Sequence, residues 1–132
     1  MEKIVIEATP NSPKVVLDPE TKIFEISGES RPENVPEFYI PILQWLDEFG
    51  QDLAIKRDSA TLLEFKFQFE YFNSLSGKFI LDLCKRLSKL RSDGNNLVAT
   101  WYYEEDDDNM HEVGLEMSRI SKLLFEYVEI KP

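Results

Sequence analysis

One short stretch of the chain restricts the possible folds more than any other. In residues 63–71 the odd positions are Leu, Phe, Phe, Phe and Tyr, whereas the even positions are Glu, Lys, Gln and Glu. Since successive side chains of a strand point to opposite faces, this alternation predicts a β-strand with one buried face and one face in water. A sheet covered on both faces would have strands that are apolar throughout. We therefore expect the helices to pack mainly on one face of the sheet.

Shorter patterns predict the other strands and helices. β-branched runs at 3–6 and 14–17, together with residues 22–26, predict an N-terminal hairpin. Apolar residues at helical spacing predict helices at 38–49, 79–90 and 110–124, and further strands are predicted at 97–103 and 125–130. The helices make the crossovers long enough for parallel pairing. The order predicts one α/β domain over residues 1–132, a two-layer sandwich with a mixed sheet.

Particular residues predict where the helices begin and end. Pro36 suits the first turn of the first helix, Pro41 should kink or delay it, and Gly50 should end it. Asn109 and Glu112 have the spacing of a capping box, which predicts the start of the third helix.

Composition and charge exclude several functions. The 25 acidic and 15 basic residues give a net charge of −10, which repels nucleic acid. The single cysteine, Cys84, lies in an apolar helical stripe and is predicted to be a buried thiol. No apolar run approaches the ~18 residues of a membrane span, and the N-terminus has too few apolar residues for a signal peptide. We expect a cytoplasmic protein that does not bind membranes.

Residues 67–82, FQFEYFNSLSGKFILD, place two serines where a strand passes into a helix. A nucleophilic serine needs a base, but His111 is the only histidine and no G-x-S-x-G motif surrounds Ser74 or Ser76. The Ser76-Gly77-Lys78 tripeptide lacks the first glycine of a Walker loop. The acidic run at 104–108 lacks the ligand spacing of an EF-hand and is predicted to be a solvated loop. We predict no catalytic residue, no metal site and no cofactor.

Two roles remain for these serines, and they are compatible. Serine is a preferred helix cap, because its hydroxyl accepts a hydrogen bond from a free amide in the first turn. The same free amides and the positive end of the helix dipole also favour a phosphate group. Physical reasoning alone leaves open whether the turn is a cap or a phosphorylation site.

Residues 70–78, EYFNSLSGK, and residues 28–34, GESRPEN, resemble the SiaC family of bacterial regulatory phosphoproteins over essentially the whole chain. Members are small single domains similar in fold to STAS anti-sigma-factor antagonists. The resemblance implies phosphorylation by a SiaB-type kinase and dephosphorylation by a SiaA-type PPM phosphatase. It also implies that the unmodified form binds and activates a SiaD-type diguanylate cyclase, which makes cyclic di-GMP; an anti-sigma kinase or another effector is the alternative.

The family's phosphoacceptor follows directly after the asparagine, and that position is Ser74 in this chain. Leu75 interrupts the usual run of hydroxyl residues, so that Ser76 is the alternative acceptor. The predicted recognition surface consists of Asn73, Ser76, Gly77 and Lys78, with Ser30, Glu33 and Asn34 on a neighbouring loop. Exposed residues of the second helix, Lys85, Arg86 and Lys89, are either a partner surface for an acidic helix or a solvated basic face.

Overall fold

The computed structural model describes residues 1–131. The strands are β1 (Ile4–Ile6), β2 (Lys14–Asp18), β3 (Ile23–Ser30), β4 (Leu63–Phe72), β5 (Leu97–Glu104) and β6 (Phe125–Ile130). The helices are α1 (Val35–Lys56), α2 (Ser74–Ser92) and α3 (Asp108–Ser121). All six strands form one sheet whose order is the order of the chain. β1, β2 and β3 pair antiparallel, and β3 to β6 pair parallel.

The alternation in β4 has the consequence predicted from the sequence. Phe65, Phe67 and Phe69 are buried, whereas Lys66 and Gln68 on the other face are exposed. α2 contacts both α1 and α3, and residues of these helices share one core with the buried side of the sheet. The α/β two-layer sandwich with a mixed sheet is confirmed, and Cys84 lies fully buried in its core.

The first helix is longer than the sequence patterns predict. α1 runs through Pro41 and Gly50 and ends at Lys56, and the C-cap residue Arg57 has a left-handed conformation with φ of 53°. Pro41 is exposed, so that water can satisfy the carbonyl group its missing N–H leaves free. Gly50 is not a cap but a site of close helix contact, because a Cβ there would lie 2.9 Å from Leu90 Cδ2.

The start of the third helix also differs from the prediction. Asp107, not Asn109, is the N-cap of α3, and its side chain accepts a hydrogen bond from the Met110 amide at 3.0 Å. The prediction failed because residues 104–108 contain several carboxylates, and tertiary packing decides which of them meets the free amides. α3 ends at Ser121, and Leu124 beyond it is 71% exposed.

Candidate functional site

The parallel strands end at one edge of the sheet, where all three helices begin. β3 ends at Ser30 and β4 ends at Phe72, and the backbone amide of Asn73 donates to the carbonyl of Ser30 at 3.0 Å. Because parallel strands deliver their carboxyl ends to the same edge, segments distant in sequence are neighbours here. The turn between β4 and α2 therefore lies beside the loop between β3 and α1.

Asn73 is the N-cap of α2. Its backbone is extended, and its side-chain oxygen accepts a hydrogen bond from the Ser76 amide at 2.8 Å. Ser74 is the first residue of the helix and is exposed to solvent. The cap is therefore the asparagine, and the hydroxyl of Ser74 is not committed to capping α2.

Ser76 has a different environment. It has no solvent-accessible surface, and the hydroxyl of Ser30 donates to its Oγ at 3.0 Å. The Ser30 hydroxyl also lies 2.5 Å from the Tyr39 hydroxyl, and since it has one proton to donate, Tyr39 must donate to Ser30. The three hydroxyl groups form a buried chain that joins β3, α1 and α2. Burial raises the pKa of Tyr39 to about 12, so the chain is uncharged at neutral pH.

Gly77 and Lys78 complete the first turn of α2. A Cβ on Gly77 would lie 3.1 Å from the ring of Phe72, the last residue of β4, so that glycine permits the close approach of helix and strand. Lys78 is exposed one helical turn after Ser74. Of the residues predicted for this turn, Ser74 and Lys78 are at the surface and Ser76 is in the core.

The neighbouring loop contributes an exposed part and a buried part. Glu33 and Asn34 are exposed, and the Asn34 side chain caps α1 by accepting from the Glu37 amide at 3.2 Å. Ser30 is fully buried and offers no surface to a partner. The loop borders an open cleft of about 920 Å³. Residues lining the cleft include Thr9, Asn11, Glu33, Asn34, Phe38 and Leu75.

Two residues of this region were not predicted from the sequence. Tyr39 belongs to the hydroxyl chain, but in the sequence it is one more aromatic residue of a helix. Leu75 is 44% exposed beside Ser74, although leucine in an amphipathic helix is normally assigned to the core. The Asn73 cap distinguishes the two serines, because it makes Ser74 the first helical residue and accepts a hydrogen bond from the backbone amide of Ser76.

Other candidate chemistries find no support among the described residues 1–131. His111 stacks on Tyr103 with ring centroids 4.2 Å apart, and no hydrogen bond joins it to either serine in this part of the chain. The same residues contain no group of His, Cys, Asp or Glu side chains suited to a metal ion. Within residues 1–131, none of the helices has the length and apolar character required to cross a membrane.

The fold and the site define a small α/β domain with an exposed serine at the start of its central helix. The chain belongs to the SiaC family of regulatory phosphoproteins, because the model of that family matches residues 6–130. The resemblance found in the sequence is thereby confirmed.

One relative and several solved structures are similar to the chain over most of its length. An uncharacterized protein of Pseudomonas aeruginosa strain UCBPP-PA14 is 25% identical over 116 residues, covering 88% of this chain and 87% of that protein. The crystal structure of apo-SiaC from Pseudomonas aeruginosa is 23% identical and has a TM-score of 0.79, with 98% of each chain covered. SiaC in the crystal structure of its complex with the diguanylate cyclase SiaD, which SiaC activates, is 21% identical with a TM-score of 0.81, covering 98% of this chain and 99% of that chain. The fold is shared over the full domain.

Proposed function

We propose that this protein is a phosphorylation-controlled partner switch that is modified at Ser74. In its unmodified form it binds and activates a diguanylate cyclase. Family membership supports the regulatory role, and the related SiaC that is crystallised with a cyclase supports the choice of effector. The observation that carries the assignment of the acceptor is the exposure of Ser74 at the first position of α2.

The difference between the two serines supports Ser74 as the acceptor. A kinase must bring the hydroxyl oxygen into contact with the γ-phosphate of ATP, which an exposed residue at a helix start permits. Ser76 has no accessible surface and is hydrogen-bonded to Ser30, so that its modification would require the start of α2 to unfold. A phosphate on Ser74 would instead meet the free amides of the first turn and the ammonium group of Lys78.

The protein itself has no catalytic role in this proposal. A SiaB-type kinase adds the phosphate in the cytoplasm, where ATP is available, and a SiaA-type PPM phosphatase removes it. The recognition surface consists of Ser74, Asn73, Gly77 and Lys78 together with Glu33 and Asn34 of the neighbouring loop. Ser76 and Ser30 are buried beneath this surface. They hold it in position and do not contact the partner.

Charge explains how the modification changes partner binding. The phosphate adds roughly −1.5 to −2 charges to a surface that a partner must desolvate. Lys78 balances only part of this charge; a buried charge that is left unbalanced costs several kcal/mol, and about 1.4 kcal/mol already changes affinity tenfold. The phosphorylated form therefore loses the cyclase.

The test compares two single variants in the same assay. Incubation with the cognate kinase and ATP, followed by intact-mass and fragment analysis, should locate one phosphate on Ser74. Ser74→Ala should abolish the modification and keep cyclase activation, whereas Ser76→Ala should still be modified. Phosphate found only on another residue would refute the assignment. If a pull-down with the unmodified protein recovers an anti-sigma kinase in place of a cyclase, the proposed effector is wrong. The assignment of Ser74 as the acceptor would then still stand.

A further inference from the structure

The outer face of α2 carries a line of lysines that begins beside Ser74. We propose that this basic stripe, made of Lys78, Lys85 and Lys89, docks an acidic helical segment of the effector. Phosphate on Ser74 then weakens docking by neutralising one end of the stripe. The inference rests on the proposed function and names the surface and the partner chemistry by which it operates.

The position of the stripe follows from the packing of α2. Its buried residues are Ser76, Ile80, Leu83, Cys84, Leu87 and Leu90, which face the sheet and the flanking helices. α1 contacts α2 on one side and α3 contacts it on the other. The lysines at 78, 85 and 89 are all exposed. Since Ser74 precedes them by four, eleven and fifteen residues, all four side chains lie on the same outward face.

The charge of this helix differs from that of the rest of the protein. α2 contains five Lys or Arg residues and one acidic residue, Asp82, although the whole chain has a net charge of −10. A partner segment rich in Asp and Glu is repelled by most of the surface and attracted here. Charge complementarity of this kind sets orientation and speeds encounter. The occupant we infer is therefore acidic.

The cations of the stripe are available for an external partner. Within residues 1–131 no carboxylate lies within salt-bridge distance of Lys78 or Lys85. Lys89 Nζ lies 3.3 Å from Asp93 Oδ2, but both side chains are exposed, and such a surface pair contributes little free energy. Arg86, beside the stripe, is bound to Asp47 at 2.9 Å and does not belong to it.

The dimensions of the stripe suit a helical partner. Lys78 and Lys89 are eleven residues apart, which corresponds to about 16 Å along the helix axis. A partner helix of about three turns with carboxylates three or four residues apart matches that length. At the Ser74 end, Leu75 is 44% exposed and offers an apolar contact next to the charges. An apolar anchor beside complementary charges is a common arrangement in specific interfaces.

The geometry also explains the direction of the switch. Ser74 and Lys78 are four residues apart on one helix, the spacing at which opposite charges attract each other. A phosphate at Ser74 brings roughly −1.5 to −2 charges, enough to cancel Lys78 and to repel the nearest carboxylate of the partner. Modification thus weakens the binding of an acidic partner by a local electrostatic effect, and the fold does not have to rearrange.

The experiment removes the charges of the stripe and compares the resulting affinity with that of a control variant that loses three lysine charges elsewhere. One variant carries Lys78→Gln, Lys85→Gln and Lys89→Gln; the control carries Lys3→Gln, Lys14→Gln and Lys66→Gln, which changes the net charge by the same amount away from α2. Affinity for the cyclase is measured by calorimetry at low and high salt, and circular dichroism verifies the fold. We expect the stripe variant to lose about tenfold or more in affinity and most of its salt dependence, because it lacks the complementary charges.

Ser74→Asp is then added to the wild type and to the stripe variant. If the phosphate acts by neutralising the stripe, the aspartate should weaken binding less in the stripe variant than in the wild type. Equal affinities of the stripe variant and the control would overturn the inference while the proposed function stands. If the unmodified wild type does not bind the cyclase, the proposed effector is wrong and the inference fails with it.

Discussion

The hydroxyl oxygens of Ser30 and Ser76 lie 3.0 Å apart, although 46 residues separate the two serines in the chain. This contact fixes the start of α2 against the end of β3, and Tyr39 of α1 joins it from the third side. The exposed acceptor position at Ser74 thus rests on a turn that is held by the Asn73 cap and by buried hydrogen bonds. Both can be tested by single substitutions.

Tyr39→Phe removes one hydroxyl and retains the ring, which stacks on Phe79 with centroids 5.7 Å apart. The Ser30 hydroxyl then loses its donor in a buried site, so we expect a loss of about 1–2 kcal/mol in the free energy of unfolding. Urea denaturation measures the loss. Tyr71→Phe is the matched control, because Tyr71 is 49% exposed and should change stability by less than about 0.5 kcal/mol. Equal effects of the two variants would mean that the buried chain does not stabilise the fold.

Asn73→Ala removes the oxygen that accepts from the Ser76 amide, and we expect a loss of about 1 kcal/mol in stability. Asn73→Asp retains a hydrogen-bond acceptor and should therefore retain most of the wild-type stability. Asn109→Ala is the comparison, since Asn109 is exposed and is not the cap that its sequence spacing predicts. Chemical denaturation of the three variants gives the order directly. A larger loss for Asn109→Ala than for Asn73→Ala would contradict the described caps.

Two helical glycines should respond differently to alanine. A Cβ at Gly114 would lie 2.5 Å from the Trp101 ring, which is completely buried and cannot move. We expect Gly114→Ala to destabilise the protein by about 2 kcal/mol or more. At Gly50 the nearest atom is the end of the Leu90 side chain at 2.9 Å, and the gain in helix propensity offsets the adjustment. The thermal midpoint of Gly50→Ala should therefore stay within a few degrees of the wild type, well above that of Gly114→Ala.

Stability should decrease in alkaline solution because of Cys84. Burial raises the pKa of this thiol to about 12 from an ordinary value of 9.0. The unfolded chain therefore releases the proton at lower pH than the folded protein, and the stabilisation present below pH 9 is lost as the pH rises towards 12. Between pH 8 and 10 this amounts to about 1 kcal/mol. Cys84→Ala should be less stable at pH 8 but lose less between pH 8 and 10; parallel curves for the two proteins would exclude the thiol as the cause.

The sequence predicted the sheet better than it predicted the turn. Alternation in β4 is a local signal, and it correctly indicated one wet face and helices on the other side. The burial of Ser30 and Ser76 is not local, because a small polar residue can be buried only where a partner satisfies its hydroxyl. The partner of Ser76 is Ser30 at the end of β3, and the partner of Ser30 is Ser76 in the first turn of α2, 46 residues later. The extent of α1 was missed for a related reason, since the effect of Pro41 depends on which side of the helix faces water.

The strand order of the sheet also bears on how the protein is made. Each strand from β2 onward pairs with the strand that immediately precedes it in the chain. No strand has to be inserted later between two that are already paired, so that each pairing closes only the segment between two consecutive strands. During synthesis on the ribosome, each pairing can form as soon as the next strand emerges. The domain can be assembled progressively from its N-terminal edge, and its central helix can be in place before β5, α3 and β6 have emerged.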